Sequence, residues 1–141
     1  MPRHPRGPHE RVGGLVWFGR MVDKIRLSAA GELDPESEPL RGKGLDGRLL
    51  ELLEVPYVEI EGQVLGGLSD EEVLTWCFES RPGGPPDART LRLWNHYLTK
   101  LGWRDESSHG FEAACERYGI PLNDPKIQTF FDIIDRDEGR I

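Results

Sequence analysis

Apolar residues recur at helical spacing along most of this chain, and the first such pattern begins at Leu15. Its apolar positions lie three or four residues apart: Leu15, Phe18, Val22, Ile25 and Ala29. This spacing places them on one face of a helix, and Ala30–Gly31 is a typical helix end. The pattern therefore predicts a first helix with a buried face over residues 15–30.

Five later segments begin with a residue that can cap a helix. The predicted caps are Asp46, Ser69, Asp87, Ser107 or Ser108, and Asp124 followed by Pro125. Ser69 and Glu72 have the spacing of a capping box. The stretch YVEIEGQVLGG (57–67) alternates as a strand does. Because it is short and bounded by glycines, a helix or a turn is favoured there.

Together these segments predict an all-α fold, an irregular bundle of six to seven helices in a single domain over residues 15–141. Residues 1–14 contain prolines, basic side chains and a glycine pair without periodicity, which predicts an irregular basic arm. The polar loop 31–44 is long enough to suggest a functional role or mobility. A chain of 141 residues can bury a core without disulfides or a structural metal.

The first helix also carries a group of charged residues opposite its apolar face. Arg20, Asp23, Lys24 and Arg26 lie within the stretch GRMVDKIR (19–26). Asp23 is three residues from both arginines, so its carboxylate is predicted to bridge them. One interpretation is a solvent-exposed ladder that contributes little to stability. The other is a partly covered cluster that holds another segment or binds an anionic ligand, because arginine side chains match carboxylate and phosphate groups.

Net charge is unevenly distributed along the chain, and this distribution limits the kinds of partner that the protein is expected to bind. The chain carries −7 overall, but residues 1–26 carry +4 and the remainder −11. An acidic body argues against binding to a nucleic-acid backbone. No apolar run approaches the ~18 residues that span a bilayer, and the first residues lack the apolar segment of a secretory signal. We therefore expect no nucleic-acid or membrane partner, and we expect the basic start to dock on the acidic body or on an acidic partner.

Two other groups of polar residues are candidate sites. Asp132 and Asp135 lie on the polar side of the last predicted helix, where they can be solvated, bind a hard cation or meet the basic residues of the first helix. His96 and Lys100 are four residues apart, a spacing that suits a general base and a charged partner, although His96 is expected to face solvent. Neither group has the spacing of a metal site, so no metal or other cofactor is predicted.

The remaining sequence features indicate no reaction. The two cysteines, Cys77 and Cys115, lie in apolar helical patterns and are predicted to be buried thiols of a cytoplasmic protein. The chain contains no nucleophile elbow, phosphate-binding loop, dinucleotide fingerprint or Cys–His metal set. Whether the protein is an enzyme therefore stays open, as does its oligomeric state.

Three blocks of the sequence resemble a known family. They are LVWFGRMVDKIRLSAAGEL (15–33), LSDEEVLTWC (68–77), and LGWRDE (101–106) with FFDIIDRDEGR (130–140). With these blocks the chain is similar to the bacterial family of unknown function numbered five thousand and sixty-nine, whose pattern in the first block Arg20, Asp23, Lys24 and Arg26 match. Residues 41–67 and the stretch RPGGPPDA depart from the pattern of that family. The resemblance implies a small helical protein without an established activity.

Two functional hypotheses follow from these observations. In the first, a small anionic metabolite binds, with or without catalysis, in a polar pocket lined by helix 15–30. Its wall comprises Arg20, Asp23, Lys24 and Arg26, with Asp132 and Asp135 as candidate partners. In the second, the charged cluster is structural, and the protein is a non-catalytic interaction or accessory module.

The position of the cluster discriminates between these hypotheses. A concave pocket that contains Arg20 and Lys24 favours the first, whereas a flat or mutually paired cluster favours the second. The first hypothesis also predicts that Arg20→Ala abolishes ligand-induced thermal stabilisation and leaves the fold intact.

Overall fold

The computed structural model describes all residues 1–141 and contains seven α-helices without a β-sheet. The helices are α1 Phe18–Ala29, α2 Leu45–Leu53, α3 Tyr57–Leu65, α4 Asp70–Ser80, α5 Ala88–Lys100, α6 Ser108–Arg117 and α7 Phe130–Asp137. A short 3-10 turn, Glu38–Leu40, lies in the loop between α1 and α2. The predicted all-α class and number of helices are confirmed, and the ambiguous stretch 57–67 forms α3.

Three of the predicted helix caps are confirmed. The hydroxyl of Ser69 accepts a hydrogen bond from the backbone N–H of Glu72, whose carboxylate accepts one from Ser69 N in return. Asp87 accepts a hydrogen bond from the N–H of Thr90 at the start of α5. Ser107 precedes the first residue of α6. Side-chain capping therefore positions the starts of α4 and α5, whereas Ser107 occupies the cap position of α6 without a side-chain capping hydrogen bond.

The other two predicted caps are wrong, because the carboxylates of Asp46 and Asp124 accept hydrogen bonds from other groups. Gly44 occupies the cap position of α2, and Asp46 lies inside its first turn with the carboxylate completely buried. Asp124 accepts a hydrogen bond from Lys126 N in a turn instead of starting a helix. Helix α7 begins five residues later than Pro125, where Thr129 and Asp132 form a capping box.

The core consists of two apolar clusters. The main cluster surrounds the apolar face of α1, where Phe18, Met21 and Val22 are completely buried. Helix α1 packs against α3, and α3 packs against α4, while α5 contacts both α2 and α7. A smaller cluster joins α6 to α7 and includes Phe111 and Ile133. Cys77 and Cys115 are both buried and unpaired, as predicted for structural thiols.

The first residues of the chain pack closely against α1. Pro5, Gly7 and Pro8 are buried. The guanidinium group of Arg6 crosses α1 at Gly19, where a Cβ atom would lie 2.8 Å from an Arg6 nitrogen. A larger residue at this position would therefore require the Arg6 side chain to shift. Helix α1 begins at Phe18 rather than Leu15, because Trp17 has a φ of 69°, outside the range of a helix.

Candidate functional site

A cavity of about 340 Å³ opens beside two buried charged side chains of α1, Arg20 and Lys24. Its boundaries are α1, the loop 31–44, the start of α2, and the side formed by α6, α7 and Leu101, which follows α5. Trp17 contributes to the lining from the main apolar cluster and Ala114 from the smaller one. The cavity therefore lies where the two apolar clusters meet, and its volume suits a small molecule.

Asp46 holds Lys24 and Trp17 in place below the cavity. One carboxylate oxygen accepts a hydrogen bond of 2.7 Å from Trp17 Nε1. The other accepts hydrogen bonds from Lys24 Nζ at 3.1 Å and from Gly42 N at 3.0 Å. Burial lowers the pKa of Lys24, although the charge of Asp46 opposes that shift. Asp46 thus joins α1, α2 and the loop that precedes α2.

Arg20 connects α1 to the end of α7 through a bidentate ion pair. Its two terminal nitrogens donate hydrogen bonds of 2.8 and 2.6 Å to the carboxylate of Glu138, which also accepts one from Arg140. Burial by itself would raise the pKa of Glu138. The hydrogen bonds and charges of Arg20 and Arg140 outweigh burial and hold that pKa below its ordinary value. Glu138 is therefore ionised at neutral pH.

The cationic side chains of the lining come mainly from one side of the cavity. Four cationic side chains lie on α1 and around the start of α2, and we call them together the cationic wall: Arg20, Lys24, Lys43 and Arg48. Five apolar side chains line the opposite side, and we call them together the apolar wall: Leu101, Ala114, Phe130, Ile133 and Ile134. The opposite side contributes one cation, Arg117. Apolar side chains line both sides, since Trp17, Leu40 and Leu45 lie beside the cationic wall, but four of the five lining cations belong to the α1–α2 side.

Four carboxylates also line the cavity, and two of them are engaged by the protein. Glu138 binds Arg20, and Asp34 accepts hydrogen bonds from the backbone and hydroxyl of Ser37. Glu36 and Asp137 are exposed at the entrance. Among the lining cations, the exposed side chains of Lys43 and Arg117 form no salt bridge. These two cations are therefore free to attract an anion.

Two buried polar atoms of lining residues have no hydrogen-bond partner. They are Arg20 Nε and Asp34 Oδ1. Buried polar atoms are nearly always hydrogen-bonded in folded proteins, so such exceptions are informative. Both exceptions belong to residues of the cavity, whereas the only other one, Tyr57 Oη, lies outside it. Both atoms are shielded from solvent, and Asp34 Oδ1 lies 3.7 Å from Nδ1 of His4.

The predicted bridge from Asp23 to Arg20 and Arg26 is wrong. Asp23 instead binds Arg6, whose Nη2 lies 2.8 Å from Asp23 Oδ1. Arg26 pairs with Asp70 at the start of α4 and donates to Leu68 O. The reason is that partners from other segments come closer than neighbours on the same helix. We call Arg6, Asp23, Arg26 and Asp70 the arm-side network; none of these four lines the cavity.

The predicted acidic partners Asp132 and Asp135 do not meet the basic residues of α1. The carboxylate of Asp132 caps its own helix by accepting hydrogen bonds from Gln128 N and Thr129 N. Asp135 accepts a hydrogen bond from Arg140. The acid that does reach α1 is Glu138, the residue that follows α7. Of the six predicted residues, the structure therefore brings only Arg20 and Lys24 to the cavity.

The weaker candidates His96 and Lys100 lie on the exposed face of α5, away from the cavity. His96 contributes to a separate surface depression together with Arg11, Arg92 and Asn95. No group of three or more His, Cys, Asp or Glu side chains is arranged to hold a metal ion. None of the seven helices combines the length and the apolar character needed to cross a membrane.

Sequence reasoning missed Asp46, Glu138 and Lys43 as members of the site. Asp46 resembles an ordinary helix cap in sequence, and Glu138 is one of several acids near the end of α7. Lys43 lies in a polar loop without periodicity. Only the pattern of glycines around Asp46, at positions 42, 44 and 47, signals an unusual backbone there.

Comparison with known proteins assigns the family of this chain. A family described as Domain of unknown function (DUF5069) matches residues 2–140, a range that includes every residue of the cavity. A comparison with curated proteins gave no match. The match confirms the resemblance that the three sequence blocks indicated. The chain belongs to the DUF5069 family.

Proposed function

We propose that this protein binds a small organic anion in the cavity between α1, the start of α2 and α7. The observation that carries the proposal is the cationic wall, which collects Arg20, Lys24, Lys43 and Arg48 on one side of a cavity of ligand size. Arginine and lysine side chains in a partly enclosed site bind carboxylate and phosphate groups through charge-assisted hydrogen bonds. Lys43 and Arg117, which form no salt bridge, attract the anion at the entrance.

The two buried cations have a supporting role in this proposal. Arg20 and Lys24 are already paired with Glu138 and Asp46, so their charges are compensated and their side chains shape the floor of the cavity. The direct contacts to the anion come from Lys43 and from Arg48. Arg48 Nη1 donates to the hydroxyl of Tyr97 at 3.0 Å and lies 3.9 Å from Glu106 Oε1, so Nε and Nη2 of Arg48 are the atoms that contact the anion. The ligand therefore needs no rearrangement of the core.

Thermal unfolding tests the proposal with charge-matched variants. The first is the double variant Lys43→Gln/Arg117→Gln, and the control is Lys100→Gln/Lys126→Gln, which removes two exposed, unpaired cations outside the cavity. A panel of small carboxylates and phosphomonoesters is added to each protein. A ligand present at about one hundred times its Kd stabilises by about 2.7 kcal/mol, which raises Tm by several degrees.

We expect an anion to raise the Tm of the wild type and of the control. In the cavity variant this increase in Tm should be lost or reduced. If no anion at millimolar concentration shifts the wild type, the proposal is wrong. An equal shift in all three proteins also contradicts it. Arg20→Ala, which the sequence suggested as the test, is unsuitable because it would leave Glu138 buried beside fewer donors and weaken the fold itself.

A second candidate function is supported by the same ion pairs. All four charged residues of the stretch 19–26 have partners within the chain, as expected for a cluster that only maintains the fold of an interaction module. In that case Lys43→Gln/Arg117→Gln changes neither stability nor any ligand response. The thermal experiment therefore discriminates between the two candidates.

A further inference from the structure

The two sides of the cavity differ in chemistry, and this difference restricts the ligand further. The α1–α2 side supplies four of the five cations together with three apolar side chains, Trp17, Leu40 and Leu45. The opposite side supplies the five residues of the apolar wall, Tyr118 and a single cation, Arg117. Ile133 and Ala114 on the apolar wall are themselves part of the smaller apolar cluster. A purely polar anion such as inorganic phosphate would leave this wall in contact with water and gain nothing from it.

We infer that the ligand is an amphipathic organic anion, with its anionic oxygens against Lys43 and Arg48 and its hydrocarbon body against the apolar wall. This inference rests on the proposed function and adds to it the class of ligand and its orientation. A single anionic group is sufficient, because Arg20 and Lys24 are already neutralised by Glu138 and Asp46. The entrance carboxylates Glu36 and Asp137 disfavour a second negative charge at the opposite end.

The start of α2 adds a further feature to the cationic wall. The nine-residue helix α2 begins at Leu45, and Gly44 immediately precedes it. Both residues line the cavity. No side chain caps this end of α2, and an added Cβ on Gly44 would meet nothing within 4 Å. The positive end of a helix stabilises an anionic group nearby. The buried carboxylate of Asp46 already lies in this first turn, so the placement of the head group rests on Lys43 and Arg48.

The probes are chosen to separate charge from hydrophobicity. Octanoate carries both an anionic head and a hydrocarbon body, acetate carries the head alone, and octan-1-ol carries the body alone. Binding is measured by isothermal titration calorimetry with the full chain. We expect octanoate to bind at least about tenfold more tightly than acetate, because the additional methylenes are removed from water. We expect octan-1-ol to bind more weakly than octanoate.

Two entrance cations test the orientation. Lys43 lies on the cationic wall and Arg117 on the opposite side, and both are exposed and unpaired. Lys43→Gln is expected to weaken octanoate binding several-fold and to leave octan-1-ol binding unchanged. Arg117→Gln is expected to change octanoate binding less than Lys43→Gln does. The opposite order of the two variants contradicts the orientation.

A filling substitution tests the apolar wall. Ala114→Phe places an aromatic ring at the hydrocarbon end of the cavity and is expected to abolish octanoate binding. If Ala114→Phe does not fold by circular dichroism, Ala114→Leu is the smaller replacement. Octanoate binding that is unchanged in a folded filling variant overturns the inference.

The outcomes distinguish the inference from the proposed function on which it rests. If acetate or phosphate binds as tightly as octanoate, the proposed anion site stands and the amphipathic class is wrong. If octan-1-ol binds as tightly as octanoate, the cavity is an apolar site and both proposals are wrong. If none of the probes binds, the proposed function loses its support as well.

Discussion

Two sets of ion pairs originate from the same eight-residue stretch of α1, yet they have different surroundings. In the arm-side network, Arg6 binds both Asp23 and Asp70, and Arg26 binds Asp70, on a side of α1 that remains partly exposed. On the cavity side, Lys24 binds Asp46 and Arg20 binds Glu138, and all four side chains are at most 6% exposed. The same residue types thus form a surface network on one side and a buried one on the other.

The two sets also differ in whether all of their buried polar atoms have hydrogen-bond partners. No side chain of the arm-side network has a buried polar atom without a partner, whereas Arg20 on the cavity side does. The arm-side network therefore fixes the start of the chain against α1 and α4. The cavity side also holds the fold together, but it does so next to open space that a ligand can fill.

The largest expected effect on stability comes from removing the carboxylate of Asp46 on the cavity side. The substitution Asp46→Ala leaves Lys24 Nζ, Trp17 Nε1 and Gly42 N without their acceptor. Because Lys24 would then be a buried charge without a partner, the free energy of unfolding should fall by about 3–5 kcal/mol. Urea denaturation followed by circular dichroism measures this loss. A loss below about 1 kcal/mol would show that the buried pair is not needed for the fold.

The next effect concerns Glu138 and depends on pH. Glu138→Gln removes the charge that binds Arg20 and Arg140, and we expect a loss of about 2–3 kcal/mol at pH 7. The folded-state pKa of Glu138 is lowered, so its stabilisation is complete above the ordinary pKa of about 4.3 and is lost as the pH falls below that value.

Denaturation of both proteins between neutral and acidic pH provides the measurement. The difference in stability between wild type and Glu138→Gln should therefore shrink as the pH falls below about 4. A difference that is constant over this range would contradict the assignment of the charge to this pair. Other acids titrate in both proteins and cancel in the comparison.

Much of the fold follows from short-range patterns that the sequence displays directly. The apolar spacing of α1 identifies its buried face, and Ser69 and Asp87 mark the starts of α4 and α5 by their own hydrogen bonds. These features depend on residues within one or two turns of each other. Periodicity and capping are therefore sufficient to predict the fold class and the starts of α4 and α5, whereas the predicted starts of α1, α2 and α7 are wrong.

The partners of the charged residues could not be predicted in the same way. Arg20 binds an acid 118 residues away, and Asp23 binds an arginine 17 residues before it. The spacing along α1 favoured Asp23 as the partner of Arg20. A long side chain, however, can form an ion pair with any segment that tertiary packing brings close to it. For the same reason the cavity was visible in sequence only as a charged stretch, without its apolar wall.

The smallest expected effect comes from the arm-side network at Asp70. The side chain of Asp70 is 18% exposed and that of Arg26 is 37% exposed, so water replaces part of any lost contact. After Asp70→Asn, Arg6 still has its two hydrogen bonds to Asp23. We therefore expect a loss of about 0.5–1 kcal/mol, measured by urea denaturation.

Combining Asp70→Asn with Asp46→Ala tests whether the two sides of α1 act independently. The arm-side network and the Asp46 network share no side chain, although Asp23 and Lys24 are neighbours in sequence. Losses at sites without shared partners usually add to within about 0.5 kcal/mol. Additive losses would establish two separate networks, and ligand binding in the cavity should then be unaffected by Asp70→Asn. A coupling well above that value would mean that α1 transmits changes from the arm to the cavity, and the contrast between its two sides would no longer hold.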